Sequence, residues 1–141
     1  MTNTIPDLDT AAAVLVQARA DRAAADTAEA RLLQAAVAWA DLHPAESIHQ
    51  AALLSRFGEQ PFAVAGEGAP LVAEFCVAEF AAAVGLPTEY ATTYLGEAVE
   101  LAHRLPKTWA RVKAGDLAAW RARRIAAETI ALTPRGGGVR R

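Results

Sequence analysis

The sequence is poor in the residue types on which most enzyme chemistry depends. A lone cysteine, Cys76, among 141 residues excludes an internal disulfide, and there is no Cys-x-x-Cys pair to hold a metal. Histidine occurs only at positions 43, 49 and 103, without His-Glu-x-x-His spacing and without a glycine-rich phosphate loop nearby. Metal-assisted hydrolysis and nucleotide binding therefore find no motif, and structural roles are expected for all three histidines. Cys76 stands between Phe75 and Val77 and reads as a packed small hydrophobe rather than a nucleophile.

Aromatic residues make up 6% of the chain, and β-branched, alternating stretches are scarce. The hydrophobic fraction of 53% leans on alanine, which favours helix while adding little buried area. An all-α fold is expected, in a single domain or part of one. Long apolar runs are missing as well, because Glu74 and Glu79 interrupt the best stretch, Leu71 to Leu86, so no membrane span is predicted. The N-terminus has no basic start followed by an apolar core and a cleavage site, and with one cysteine the chain is expected to be cytoplasmic.

What is present reads as about five main helices joined by short Pro/Gly turns. The first begins after Asp7 or Asp9 and runs toward Leu42, where His43-Pro44 stops it, since the residue before proline is pushed out of helical geometry. Its second half, with Leu32, Leu33, Val37 and Trp39, reads as core; its alanine-rich first half reads as half-exposed or paired with another helix. A short helix from Pro44 to Leu54 and an irregular connection follow. Pro70 is expected to open the most hydrophobic helix, ending at Gly85, and to place it at the centre with the Trp39 and Trp120 helices around it. A helix from Thr88 to Leu105 carries Glu100 and Arg104, spaced for an ion pair on its outside. Pro106 opens a short helix that Gly115 closes, and Asp116 is expected to cap the last, whose face comprises Leu117, Trp120, the Arg124 stem and Ile125.

Charge is divided unevenly. Residues 1–100 hold 4 Lys/Arg against 14 Asp/Glu, whereas residues 101–141 hold 10 against 2. The split fits either a basic surface for an acidic partner or two regions that neutralise each other within one fold. The segment "AEFAAAVGLPTEYATTYLGEAV" has a helix-turn-helix layout, but its second helix offers Glu89, Glu97 and Glu100 and no basic residue before Arg104, which opposes entry into a phosphate-lined groove. The basic part supplies a better candidate: Arg111, Lys113, Arg121, Arg123 and Arg124, interleaved with Trp109 and Trp120, could contact a DNA backbone without reading sequence. Arg121 and Arg124 could equally pair with the acidic first hundred residues.

Three stretches, "LLQAAVAWADLHPAESIH", "GAPLVAEFCVAEFAAAVGL" and "AVELAHRLPKTWARVKAGDLAAWRARRIAAETIALTP", closely resemble the N-terminal region of the actinobacterial family called domain of unknown function 222. Its members are named for an HNH endonuclease signature. The resemblance spans residues 30–134, with "WADLHP", "PLVAEF" and "WRARRIAAETI" in the same order and spacing. It implies a non-catalytic helical domain with no cofactor, because the HNH motif and its histidines lie at the far C-terminal end of complete members and none of those positions occurs in this sequence. Attachment to a nuclease implies a DNA-related role. Family sequences continue after "LTP" as one more helix, whereas this chain ends "PRGGGVRR", which a one-nucleotide insertion in a GC-rich gene would produce from that continuation.

The expected organisation is an Ala-rich helical extension over 1–30, a partial family-like helical domain over 31–134, and an out-of-frame Gly/Arg tail over 135–141. Apolar faces left uncovered would make the chain prone to association. Three functions follow as expectations: a non-catalytic fragment of the nuclease-associated family, a small DNA-binding module working through residues 104–124, and a helical self-association module using the first helix.

Overall fold

The computed structural model describes residues 7–132. The 135–141 tail, and with it the frameshift reading, lies outside the described residues. The described chain is mostly helical: α1 (Ala11–Leu42), a single 3₁₀ turn (Ala45–Ser47), α2 (Gln50–Leu53), β1 (Pro61–Phe62), β2 (Val72–Ala73), α3 (Cys76–Val84), α4 (Thr88–Arg104), α5 (Pro106–Ala114) and α6 (Ala119–Leu132). The all-α class holds, with a two-residue antiparallel ladder, Pro61 opposite Ala73 and Phe62 opposite Val72, as the only sheet among the described residues.

Neither Asp7 nor Asp9 caps α1. Thr10 does, its hydroxyl accepting from the Ala13 N–H at 3.1 Å, a contact worth about 1 kcal/mol at a helix start. The 32-residue helix crosses position 30 without interruption, and what changes along it is burial. Its buried residues, Leu33, Ala36 and Ala40, all lie in the second half, while Val14, Leu15 and Val16 remain exposed.

The segment after Pro70 is not helical at first. Leu71 to Ala73 are extended because their backbone is bonded elsewhere: the Leu71 carbonyl accepts from Ala45 N–H (3.3 Å), and Ala73 N–H donates to the His43 carbonyl (2.8 Å). A residue committed to such a ladder cannot also start a helix, so α3 opens at Cys76. It ends as expected at Gly85, whose φ of 72° closes the helix while its N–H and that of Leu86 both return to the Ala81 carbonyl.

The centre of the molecule is α4 rather than α3. Helices α1, α3, α5 and α6 all pack on it, and the eight successive residues Tyr94 to Leu101 are buried. That enclosure rules out α4 as a groove-reading helix. It also places Glu100 inside the protein, fully buried, instead of on an outer face.

Asp116 does not cap α6. Its N–H and that of Leu117 donate to the Arg111 carbonyl and complete the end of α5, where Gly115 adopts a φ of 82°. Helix α6 then starts at Ala119 and buries Ala119, Ala122 and Ala126. The expected face holds only at Leu117, which packs against the core; Arg124 is exposed and Trp120 and Ile125 are 49% and 42% exposed, because the side of the helix packed inward is the one carrying the alanines.

Candidate functional site

The five basic residues singled out from the sequence separate into two groups. Arg111 and Lys113 on α5, and Arg121 and Arg124 on α6, are exposed. The Lys113 ammonium lies 5.9 Å from the Trp109 ring centre, and the Arg121 guanidinium 5.1 Å from that of Trp120, distances at which a cation is attracted to an aromatic face. Arg123 belongs to neither solvent nor this surface. It points inward, donating from Nη2 to the Tyr90 hydroxyl (3.1 Å) and to Glu97 Oε1 (3.3 Å), with its guanidinium 4.5 Å from the Tyr94 ring centre. Its Nε is also 3.3 Å from Glu97 Oε2, close enough for attraction but not aligned as a hydrogen bond.

Arg104 is withdrawn in the same way. Its Nη1 donates to both oxygens of Glu100, at 3.0 and 2.8 Å. Glu100 also accepts from Gly66 N–H (3.0 Å) and from the Thr129 hydroxyl (2.7 Å), so one carboxylate ties the loop before β2 to α4 and α6. The division of charge seen in the sequence is thus partly cancelled inside the fold, through Glu97 with Arg123 and Glu100 with Arg104.

Beside the first cluster lies a groove of about 760 Å³ between α1, α4 and α6, lined by Arg22, Glu29, Tyr90, Tyr94, Trp120 and Arg123 among others. The buried Tyr94 hydroxyl at its floor has no hydrogen-bond partner. Burial first, and the nearby Glu29 carboxylate second, push the Tyr94 pKa upward and keep the phenol protonated. Burial also raises the Glu97 pKa, against the opposing pull of Arg123.

The histidines take local contacts. His43 Nδ1 lies 2.7 Å from the Trp39 carbonyl, His49 Nδ1 accepts from Ala51 N–H (3.2 Å) and His103 Nε2 lies 3.2 Å from Asp41 Oδ1. Among the described residues, no three His, Cys, Asp or Glu side chains come together in a way that could hold a metal ion. Burial, with smaller contributions from Glu59 and Glu79, pushes the Cys76 thiol up to about 11. No described helix is long and apolar enough to cross a membrane.

Sequence reasoning missed the inward course of Arg123 and the hub at Glu100. The first had a readable signal: Ala119, Ala122 and Ala126 form a small-residue stripe, and Arg123 stands beside it rather than on the outer face with Arg121 and Arg124. The second had none, since Gly66 and Thr129 are 34 and 29 residues from Glu100. Compared with known proteins, the chain matches no family model, no curated protein and no solved structure.

Proposed function

We propose that this chain is a non-catalytic helical domain of the HNH-endonuclease-associated family that its sequence resembles, acting by binding rather than by chemistry. The observation that carries the reading is the use made of the buried charged groups. Glu97 pairs with Arg123 between α4 and α6, and Glu100, paired with Arg104 within α4, also accepts from Thr129 of α6 and from Gly66 N–H, so these charged groups act as fasteners. Incubation of the purified chain with supercoiled plasmid and magnesium or manganese tests this: no nicking above buffer is expected. Metal-dependent nicking that co-purifies with the chain and is altered by its substitution would overturn it.

A second reading is favoured by the exposure of Arg111, Lys113, Arg121 and Arg124, none of which has an ion pair among the described residues. Four such cations suit contact with phosphates of duplex DNA, and binding would then fall with salt on a logarithmic slope of about −4. Replacing Arg121 and Arg124 by alanine is expected to reduce that slope by about 2. Arg123 drops out of the DNA-contacting set, because using it would require breaking its bonds to Glu97 and Tyr90. Binding that is absent at low salt, or unchanged in the double variant, contradicts this second reading.

A further inference from the structure

Two of the surfaces that carry charge after the internal pairs are formed are also apolar. The first is built from the end of α1, α2 and the small ladder. Leu42, Leu54, Phe57 and Phe75 are 73%, 86%, 86% and 53% exposed there. Backbone and side-chain bonds hold these segments together: Ala73 N–H to the His43 carbonyl, Glu74 N–H to the Gln60 carbonyl, Phe75 N–H to Glu59 Oε1, and Gln60 Nε2 to the Leu53 carbonyl. Residues 41–79 hold six carboxylates (Asp41, beside His103; Glu59, which accepts from Phe75 N–H; and Glu46, Glu67, Glu74 and Glu79) against the single Arg56, whose guanidinium sits 5.6 Å from the Phe57 ring centre.

The second surface is the outside of α5 and α6. Lys107, Arg111, Lys113, Arg121 and Arg124 are exposed there against Asp116 and Glu128, with Trp120 and Ile125 exposed among them. An apolar patch in a segment so rich in carboxylates repels nucleic acid and anionic lipid, and is complemented by a cationic surface that offers apolar side chains of its own. This chain carries such a surface. The geometry points to head-to-tail self-association, in which the acidic apolar end of one copy receives the basic face of α5 and α6 from a second copy. A contact of either surface with its own kind would set like charges against each other, so unlike surfaces meet; unless both pairs form about one two-fold axis or the contacts close into a ring, the association repeats.

The test is sedimentation of the full chain and of two variants altered only at exposed positions, Leu54→Asp/Phe57→Ser and Arg121→Glu/Arg124→Glu, with circular dichroism to verify their helicity. At about 0.02 M salt the wild-type mass is expected to rise with concentration beyond a dimer, and to fall back at about 0.5 M, where charges are screened within a few ångströms. Each variant alone is expected to stay monomeric. An equimolar mixture of the two restores one intact contact and should give a heterodimer and nothing larger. A wild-type chain that stays monomeric at low salt, a single variant that still dimerises, or a mixture that does not pair would each overturn the inference. The outcome is separable from DNA binding, since Leu54→Asp/Phe57→Ser leaves the four DNA-facing cations in place.

Discussion

Glu100 and Arg104, one helical turn apart on α4, form a bond of 2.8 Å in which the carboxylate is wholly buried while the guanidinium side chain keeps 30% of its surface. The asymmetry matters for stability. Arg104 can be hydrated if the pair is broken, but Glu100 has three protein donors in place of water, from Arg104, Gly66 and Thr129.

Replacing Glu100 by alanine is therefore expected to destabilise the fold by about 3–5 kcal/mol, because it leaves the Gly66 N–H without its acceptor, breaks the tie to Thr129 and removes a buried ionic partner. Glu100→Gln keeps an acceptor and should cost less. Urea unfolding followed by circular dichroism measures both; equal stability of the alanine variant and the wild type would show that Glu100 is not a hub.

Glu97 has its pKa raised in the folded protein, chiefly by burial. A carboxyl whose folded pKa lies above its unfolded value of 4.5 binds its proton more tightly in the native state. Its contribution to stability is full below that unfolded value and is lost as pH rises through the folded pKa. Relative to Glu97→Gln, which does not titrate, the wild type should gain stability as pH is lowered from neutrality toward 4.5. Paired urea midpoints across that range check the sign.

Gly96 faces the loop that Glu100 also holds. A methyl group added there would collide with the Val64 carbonyl oxygen, a backbone atom that cannot rotate aside. Gly96→Ala is expected to cost about 1–3 kcal/mol by overpacking, despite the better helix propensity of alanine. A melting temperature at or above that of the wild type would contradict the close approach of loop and helix.

Cys76 should be unreactive in the native state. With its pKa moved from 9.0 to about 11, a difference of two units, the thiolate fraction at pH 8 falls about hundredfold. Labelling by a disulfide reagent is expected to be slow in buffer and rapid in urea. Fast native labelling would show that the α3 start opens readily.

The first half of α1 should be dispensable for folding. No residue from Ala11 to Ala30 is buried, so a chain beginning at Arg22 should lose no more than about 1 kcal/mol, mainly the cap and frayed helical turns. A large loss would reveal contacts along this arm.

Much of this fold was legible because it is local. Proline at 44 and 106 and glycine at 85 and 115 mark helix boundaries through the conformations they forbid or permit, and alanine content with little β-branching sets the class. These are properties of a few neighbouring residues, and they held. Where the reading went wrong, the His43 carbonyl decided at Leu71 to Ala73, the Arg111 carbonyl at Asp116, and the packing of the alanine stripe at the α6 face.

The basic candidate site shows the same division. Sequence alone determined that cations crowd residues 104–124 and carboxylates the first hundred. It could not assign Arg123 to Glu97 or Arg104 to the buried Glu100 while leaving Arg121 and Arg124 outside, because all four are the same residue on two helices, α4 and α6. Tertiary structure made that choice: α6 lays its alanine stripe on α4, buries whatever projects from that side, and tolerates a buried guanidinium only where a carboxylate meets it.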